Sequence, residues 1–200
     1  VYIGGGTPTV LESEQLTELI DCIKEHFPVE QAYEFTVEAG RPDSITEKKL
    51  FSLREAGVER ISINPQTMQQ RTLDLIGRQH TAEQTREAFE LARRMGFSNI
   101  NMDLIIGLPG EDEDDFVDTL RQVKELEPDS LTIHSLVIKR ASRLRQIMEE
   151  CAPETERAER MEHMLALGEK FTRENGYLPY YMYRQKNSAG YAGSSGQEKI

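Results

Sequence analysis

The sequence predicts an α/β fold built on a parallel sheet. Three observations carry that prediction. Short β-branched and aromatic runs alternate with helical patterns along most of the chain. The helical stretches are long enough to serve as crossovers. Polar residues and glycines gather where the strand-like runs end. Such alternation implies parallel strands joined by right-handed crossovers. An open doubly wound sheet and a barrel both fit this pattern. In either one, ligands sit at the C-terminal ends of the strands.

The elements follow in order. Residues 1–3, "VYI", read as a strand that runs into Gly4, Gly5 and Gly6. A helix follows with Leu16, Leu19, Ile20, Ile23 and Phe27 on one face, at spacings of three and four. Residues 33–38, "YEFTVE", are the next strand. Thr46 suits the N-cap of a helix carrying Leu50 and Leu53, and Gly57 suits its stop. Residues 60–64, "RISIN", form a third strand. A short helix near 70–76 and a longer one at 81–95, ended by Gly96, come next. Residues 99–106, "NINMDLII", form the fourth strand. The stretch "GLPGEDEDD" leads into a helix at 114–126 whose acidic first turn suits the helix dipole. Residues 130–138, "SLTIHSLVI", form the fifth strand. The chain from Ala141 to Gly176 reads as mostly helical, and the small polar tail "SAGYAGSSGQEKI" reads as poorly ordered.

The chain has 200 residues, enough for one sizeable domain. It lacks an apolar run long enough to span a bilayer. Its net charge of −11 argues against a nucleic-acid partner and against an anionic membrane surface. Its two cysteines, Cys22 and Cys151, have no metal-ligand spacing and read as reduced cytoplasmic thiols. The chain starts without Met inside a strand-like run, so it reads as a fragment.

The strand ends hold the residues that could carry chemistry. "GGGTPT" lacks the dinucleotide-binding spacing and the P-loop lysine, so it is no phosphate cradle. Its bare backbone could bond an amino or carboxylate group, or it could be a structural turn. Glu38 ends a strand with buried alternate residues, where an unpaired carboxylate is costly. It could bind a ligand ammonium or pair with Arg41. Gln66 could bond ribose hydroxyls or cap the short helix that follows. Arg78 could grip a carboxylate or stand in solvent. Asp103 lies in an otherwise apolar strand and asks for a partner. His134 fits a satisfied core histidine.

Several of these motifs coincide with one family. "YIGGGTPT", "FTVEAGRPDSIT", "GVERISINPQTM", "IGRQHT", "NINMDLIIGLPGE" and "LTIHSLVI" together resemble the radical S-adenosylmethionine (SAM) enzymes. The resemblance is to oxygen-independent coproporphyrinogen III oxidase and its relatives, and "LPYYMYRQKN" is similar to the coproporphyrinogen dehydrogenase-like branch. It covers residues 1 to about 187. It implies a partial (β/α)6 barrel over 1–175, truncated before its first strand, and the start of a C-terminal substrate-side region over 176–200. It also implies site roles. Gly5, Gly6 and Thr7 would meet the methionine end of SAM, and Glu38 would be its acidic contact. Gln66 would lie on the ribose side, with Arg78 and Asp103 as further polar contacts. Ile105 and Gly107 would flank the adenine, and Val137 would offer backbone on the following strand.

The implied activity is a radical decarboxylation. The family cleaves SAM with one electron from a 4Fe–4S cluster. The resulting radical takes hydrogen from the propionates of coproporphyrinogen III, which become the vinyl groups of protoporphyrinogen IX. The cofactors supply that chemistry and the protein supplies orientation. One departure stands out. The family's cluster needs three cysteines spaced C-x3-C-x2-C, and neither Cys22 nor Cys151 belongs to such a motif. The implied substrate is a tetrapyrrole, and the electron donor is not legible. Three other readings remain: a haem-trafficking relative, another radical SAM chemistry, and a cluster-free barrel lyase.

Overall fold

The structure, a computed structural model, describes residues 1–137, 154–183 and 194–199. The predicted residue 138 of the fifth strand, the expected helix over 141–153, and Cys151 lie outside the described residues. One sheet runs in the order β1-β2-β3-β4-β5-β7-β6. Its first five strands are β1 (Tyr2–Ile3), β2 (Thr36–Gly40), β3 (Arg60–Gln66), β4 (Asn99–Ile106) and β5 (Ser130–Ser135). They are parallel and follow chain order. A doubly wound sheet reverses its order partway. This one does not, so its connectivity is singly wound, as in barrels. The chain divides into two compact units: Val1–Pro65 with Glu83–Met102, and Gln66–Ala82 with Asp103–Ile200.

In the first unit, Tyr2 pairs with Thr36 and Ile3 with Val37, and β2 pairs with β3 from Thr36↔Arg60 to Gly40↔Ile63. The register slips between Glu38 and Gly40. Bulges re-aim side chains at strand ends, and this one falls beside Glu38. The helices are α1 (Ser13–His26), α2 (Glu47–Glu55) and α4 (Ala82–Arg94, the first residue of which belongs to the second unit). Their buried faces carry Leu16 and Ile20, Leu50 and Leu53, and Phe89 and Ala92. The strands contribute Val37, Ala39, Ile61, Ile63, Ile100 and Met102. Each fully buried large apolar side chain contributes about 1.5–3 kcal/mol, so this core carries the unit. The Thr46 hydroxyl accepts from Lys49 N–H at 3.3 Å, the predicted N-cap of α2.

The second unit holds α3 (Gln70–Leu75), α5 (Glu113–Leu126), α6 (Glu154–Glu174), β5 and two further strands, β6 (Tyr177–Tyr183) and β7 (Ser194–Lys199). Asp112 caps α5: its carboxylate accepts from Asp115 N–H at 3.0 Å, and Asp115 accepts from Asp112 N–H at 3.1 Å. The helix thus begins one residue before the predicted start. Buried Leu104, Ile106, Phe116, Leu120, Val123, Leu131, Ile133 and Met164 form the core. At the C-terminus, β7 pairs antiparallel with both β5 and β6. Sequence reading placed no strand at 177–183 or 194–199, so this is a correction. A strand held by main-chain bonds on both sides needs no apolar pattern, and "SSGQEK" offers none.

Candidate functional site

The site is built most clearly in the first unit, where the glycine loop meets the end of β2. Gly5 and Gly6 have φ of +89° and +65°, a left-handed region that favours glycine. A Cβ on either would stand in open space, so backbone conformation alone demands glycine at these two positions. Gly4 has a different reason. A Cβ there would fall 2.2 Å from Tyr2 Cε1 and 2.9 Å from Glu38 Oε2. Gly4 therefore makes room for the Tyr2 ring and the Glu38 carboxylate, while Gly5 and Gly6 leave exposed amide groups beside them.

Glu38, expected to end its strand, sits instead at the centre of β2; half-buried there, it receives three donors. Tyr2 O–H reaches Oε2 at 3.2 Å, Gly5 N–H reaches Oε2 at 3.3 Å, and Asn64 Nδ2 donates to Oε1 at 2.9 Å. All three are neutral. Among the described residues, no cationic side chain pairs with Glu38. The Arg41 alternative fails, because Arg41 is taken by Asp43 through Nε at 3.1 Å and a second nitrogen at 2.6 Å. Thr7 follows the glycines and packs on Gly40, whose φ is +72°. Thr9 Oγ1 donates to Ala39 O and shares a 2.6 Å hydrogen bond with Ser44 Oγ. Lys49 Nζ donates to Thr9 O at 2.8 Å. The threonines thus tie the loop to the end of β2.

The second unit holds the other expected site residues, Asp103 within β4 and the others near or beyond a strand or helix end. Gln66 closes β3, is 7% exposed, and has φ of +72°. A non-glycine residue in that region costs about 1–2 kcal/mol. It is not the cap of α3, whose N-cap is Gln69. Arg78 follows α3, with its N–H donating to Leu73 O at 2.9 Å. Asp103, Ile105 and Gly107 alternate along β4 and just past it, all half-buried, while Leu104 and Ile106 between them are buried. Val137 lies just past β5, where Leu136 N–H still donates to Ile106 O at 3.0 Å. A Cβ on Gly107 would meet Met161 Cε at 3.1 Å. The structure thus brings Gly5, Gly6, Thr7 and Glu38 together in one unit. In the other it sets Gln66 at the end of β3, Asp103, Ile105 and Gly107 along and just past the C-terminal half of β4, and Val137 just past β5.

Sequence reading missed two sets of polar residues. One is the buried row Ser62, Asn64 and Asn101 behind Glu38. Its signal was available: Arg60, Ser62, Asn64 and Gln66 occupy every second position of β3, which places one polar face on a strand buried throughout. The other is Glu111, only 2% exposed, in the loop after β4. Thr67 Oγ1 donates to it at 2.6 Å, Thr72 also bonds it, and Thr67 shares a 3.3 Å contact with Thr119 Oγ1. Burial pushes the Glu111 carboxyl above the usual range, and the two threonine hydroxyls oppose that shift.

A singly wound α/β sheet with a left-handed glycine loop and polar groups at successive strand ends defines the class of protein. The chain belongs to the radical SAM superfamily, whose pattern matches residues 1–123. It is 47% identical over 193 residues to the oxygen-independent coproporphyrinogen-III oxidase-like protein HemZ of Bacillus subtilis (strain 168), covering 95% of this chain and 38% of that one. It is 39% identical over 140 residues to the heme chaperone HemW of the same strain, covering 70% of this chain and 37% of that one. Coproporphyrinogen III oxidase HemN from Escherichia coli, a radical SAM enzyme, superimposes with a TM-score of 0.75 at 25% identity, over 99% of this chain and 42% of that one. The chain thus spans about two-fifths of the length of these relatives.

The superfamily uses SAM and a 4Fe–4S cluster. The two groups fare differently against the residues present. A carboxylate with no cationic partner among the described residues, beside exposed glycine amides, suits the charged amino-acid end of SAM. The cluster needs three thiolates, and the sequence has two cysteines. Cys22 is exposed on α1. The cysteines of this chain do not fit that cluster.

Proposed function

We propose that this chain is the SAM-binding portion of a radical SAM oxidoreductase that acts on a tetrapyrrole. The observation that carries the reading is Glu38: three neutral donors orient its carboxylate, and the ligand ammonium completes its charge balance. Gly5, Gly6 and Thr7 line the same end of the ligand. On the second unit, Gln66 and Asp103 offer hydrogen bonds to hydroxyls. Ile105 and Gly107 offer apolar surface and bare backbone to the base, with Val137 and Arg78 as further contacts. The family likeness supports these roles, as does the placement of Gln66, Gly107 and Val137 at or just past strand ends.

The activity we propose for the whole protein is oxidative decarboxylation of coproporphyrinogen III to protoporphyrinogen IX, with residues 176–200 beginning its substrate-side region. The likeness to HemZ and HemN supports it. The likeness to HemW favours a second reading, haem binding without oxidation. Haem titration set against a porphyrinogen product assay on the protein that contains this chain separates them.

Calorimetric titration of the chain tests the SAM site. Losing a charge-assisted hydrogen bond costs about 1.5–3 kcal/mol, so Glu38→Gln weakens SAM binding by about tenfold or more. Binding of 5′-methylthioadenosine, which lacks the amino-acid end, stays unchanged. Equal SAM affinity in the folded variant refutes the assignment.

A further inference from the structure

Behind Glu38 lies a row of three buried polar side chains that no ligand role accounts for. Asn101 on β4 and Ser62 and Asn64 on β3 are 4%, 5% and 7% exposed. Asn101 Nδ2 lies 2.8 Å from Ser62 Oγ. Ser62 Oγ lies 3.0 Å from Asn64 Oδ1, and Asn64 Nδ2 lies 2.9 Å from Glu38 Oε1. Chemistry dictates the direction of every link. An ionised carboxylate only accepts, so Asn64 must turn its NH2 group toward Glu38. Its carbonyl then faces Ser62, so the Ser62 hydroxyl must donate. With its proton spent, Ser62 Oγ accepts from the Asn101 amide.

All three donors therefore point one way, toward the carboxylate. Aligned hydrogen bonds polarise one another, which strengthens the last one. The geometry also fixes the division of the carboxylate. Oε1 takes the relay, and Oε2 takes Tyr2 O–H and Gly5 N–H. Burial of three polar side chains in the unit's interior is costly unless each is bonded, and simple apolar residues would fill that space more cheaply.

We propose that Asn101, Ser62 and Asn64 form a one-way hydrogen-bond relay that holds the Glu38 carboxylate in a single orientation for an ammonium-bearing ligand. The three are positioning residues: they act through Glu38 and do not touch the ligand. The ligand part of this proposal rests on the SAM reading above. The relay itself does not.

Ser62→Ala is the sharpest test, because it removes one oxygen from the middle of the relay. Ser62→Thr restores the hydroxyl. In titrations of the full chain, Ser62→Ala weakens SAM binding by about 3–10-fold and leaves 5′-methylthioadenosine binding unchanged. Ser62→Thr retains most of the SAM affinity. In the Glu38→Gln background, Ser62→Ala has no further effect on SAM. A purely structural role predicts instead that both ligands weaken together, or that the loss persists without Glu38. Either outcome overturns the proposal, and so does unaltered SAM affinity in Ser62→Ala when Glu38→Gln weakens it.

A ligand-free measurement judges the relay separately. The side-chain amide resonances of Asn64 and Asn101 should both move on Glu38→Gln. With Ser62→Ala in place, the Asn101 resonance should no longer respond to Glu38→Gln. If the chain or Glu38→Gln shows no sign of the SAM site, the functional reading fails and these resonances still decide the relay. An Asn101 resonance indifferent to Glu38 overturns it.

Discussion

Gly40→Ala isolates what the glycine loop leans on. Gly40 closes β2 with φ of +72°, and a Cβ there would lie 2.8 Å from Thr7 Cγ2 and 3.3 Å from Thr7 Oγ1. Gly57 has nearly the same backbone, φ +78°, but a Cβ there meets nothing within 4 Å. The left-handed conformation costs an L-residue about 1–2 kcal/mol at either position. The stiffening of the unfolded chain is common to both substitutions and cancels in the comparison. Overpacking against Thr7 adds about 1–3 kcal/mol at Gly40 alone. At a urea slope of about 2 kcal/mol/M, Gly40→Ala should unfold about 0.5–1.5 M earlier than Gly57→Ala. Thr7→Ser deletes the Cγ2 atom of the closest contact. Added to Gly40→Ala, it should recover at least half of that gap. Equal midpoints for the two glycine variants, or no recovery with Thr7→Ser, refute the packing of Thr7 on Gly40.

Glu111→Gln tests the buried carboxyl in the loop after β4. Burial raises its pKa above that of the unfolded chain, so the folded state holds the proton more tightly and stability falls as pH rises through that window. The Gln variant should match the parent near pH 4, exceed it at pH 7.5 in urea unfolding, and lose part of the pH slope; a less stable Gln variant at pH 7.5 refutes this. Glu111→Ala should cost about 1–3 kcal/mol at both pH values, because it strands the hydroxyls of Thr67 and Thr72. Anaerobic reconstitution of this chain should yield no stoichiometric four-iron cluster, since it holds two cysteines. Iron and sulfide analysis showing four irons per chain would sink that expectation.

The alternation of strands and helices was legible because each element announces itself locally. The α2 cap at Thr46 and the whole of β4 fall where the pattern sets them. The strand ends were legible only to within two or three residues: β2 and β3 run two residues past the expected 38 and 64, and β5 stops at Ser135, before the expected 138. Pairing was not legible. Arg41 and Glu38 stand three residues apart in sequence, yet the chain turns between them and Arg41 finds Asp43 instead. The β7 strand was not legible because main-chain bonds to both neighbours need no side-chain periodicity, whereas β6, "YLPYYMY", carries strand-favouring aromatic residues and was legible in principle. The relay was half legible: the two-residue period of β3 shows a polar face, but only the sheet register reveals that Ser62 stands opposite Glu38.

Three departures from ordinary local rules fall on or beside residues of the candidate site. Gln66 takes a left-handed backbone that a side-chain-bearing residue avoids. Glu38 carries a charge into a half-buried position whose donors, among the described residues, are all neutral. Gly4 sits under an aromatic ring with no room for a methyl group. Gln66 closes β3, Gly4 lies just past β1, and Glu38 sits at the centre of the five-residue β2. The interiors of the same strands obey the rules closely, with Val37, Ile61, Ile63, Ile100 and Leu104 fully buried. A second left-handed non-glycine residue, Glu127 with φ of +54°, caps α5 and lies away from the C-terminal end of any strand. The departures at Gly4, Glu38 and Gln66, on an apolar scaffold, suit a ligand site, because binding groups must be held where folding alone would not put them. The Asn101–Ser62–Asn64 row extends that logic one layer inward: polar residues in the interior cost stability, and the cost is explained if they hold the one carboxylate that must not turn.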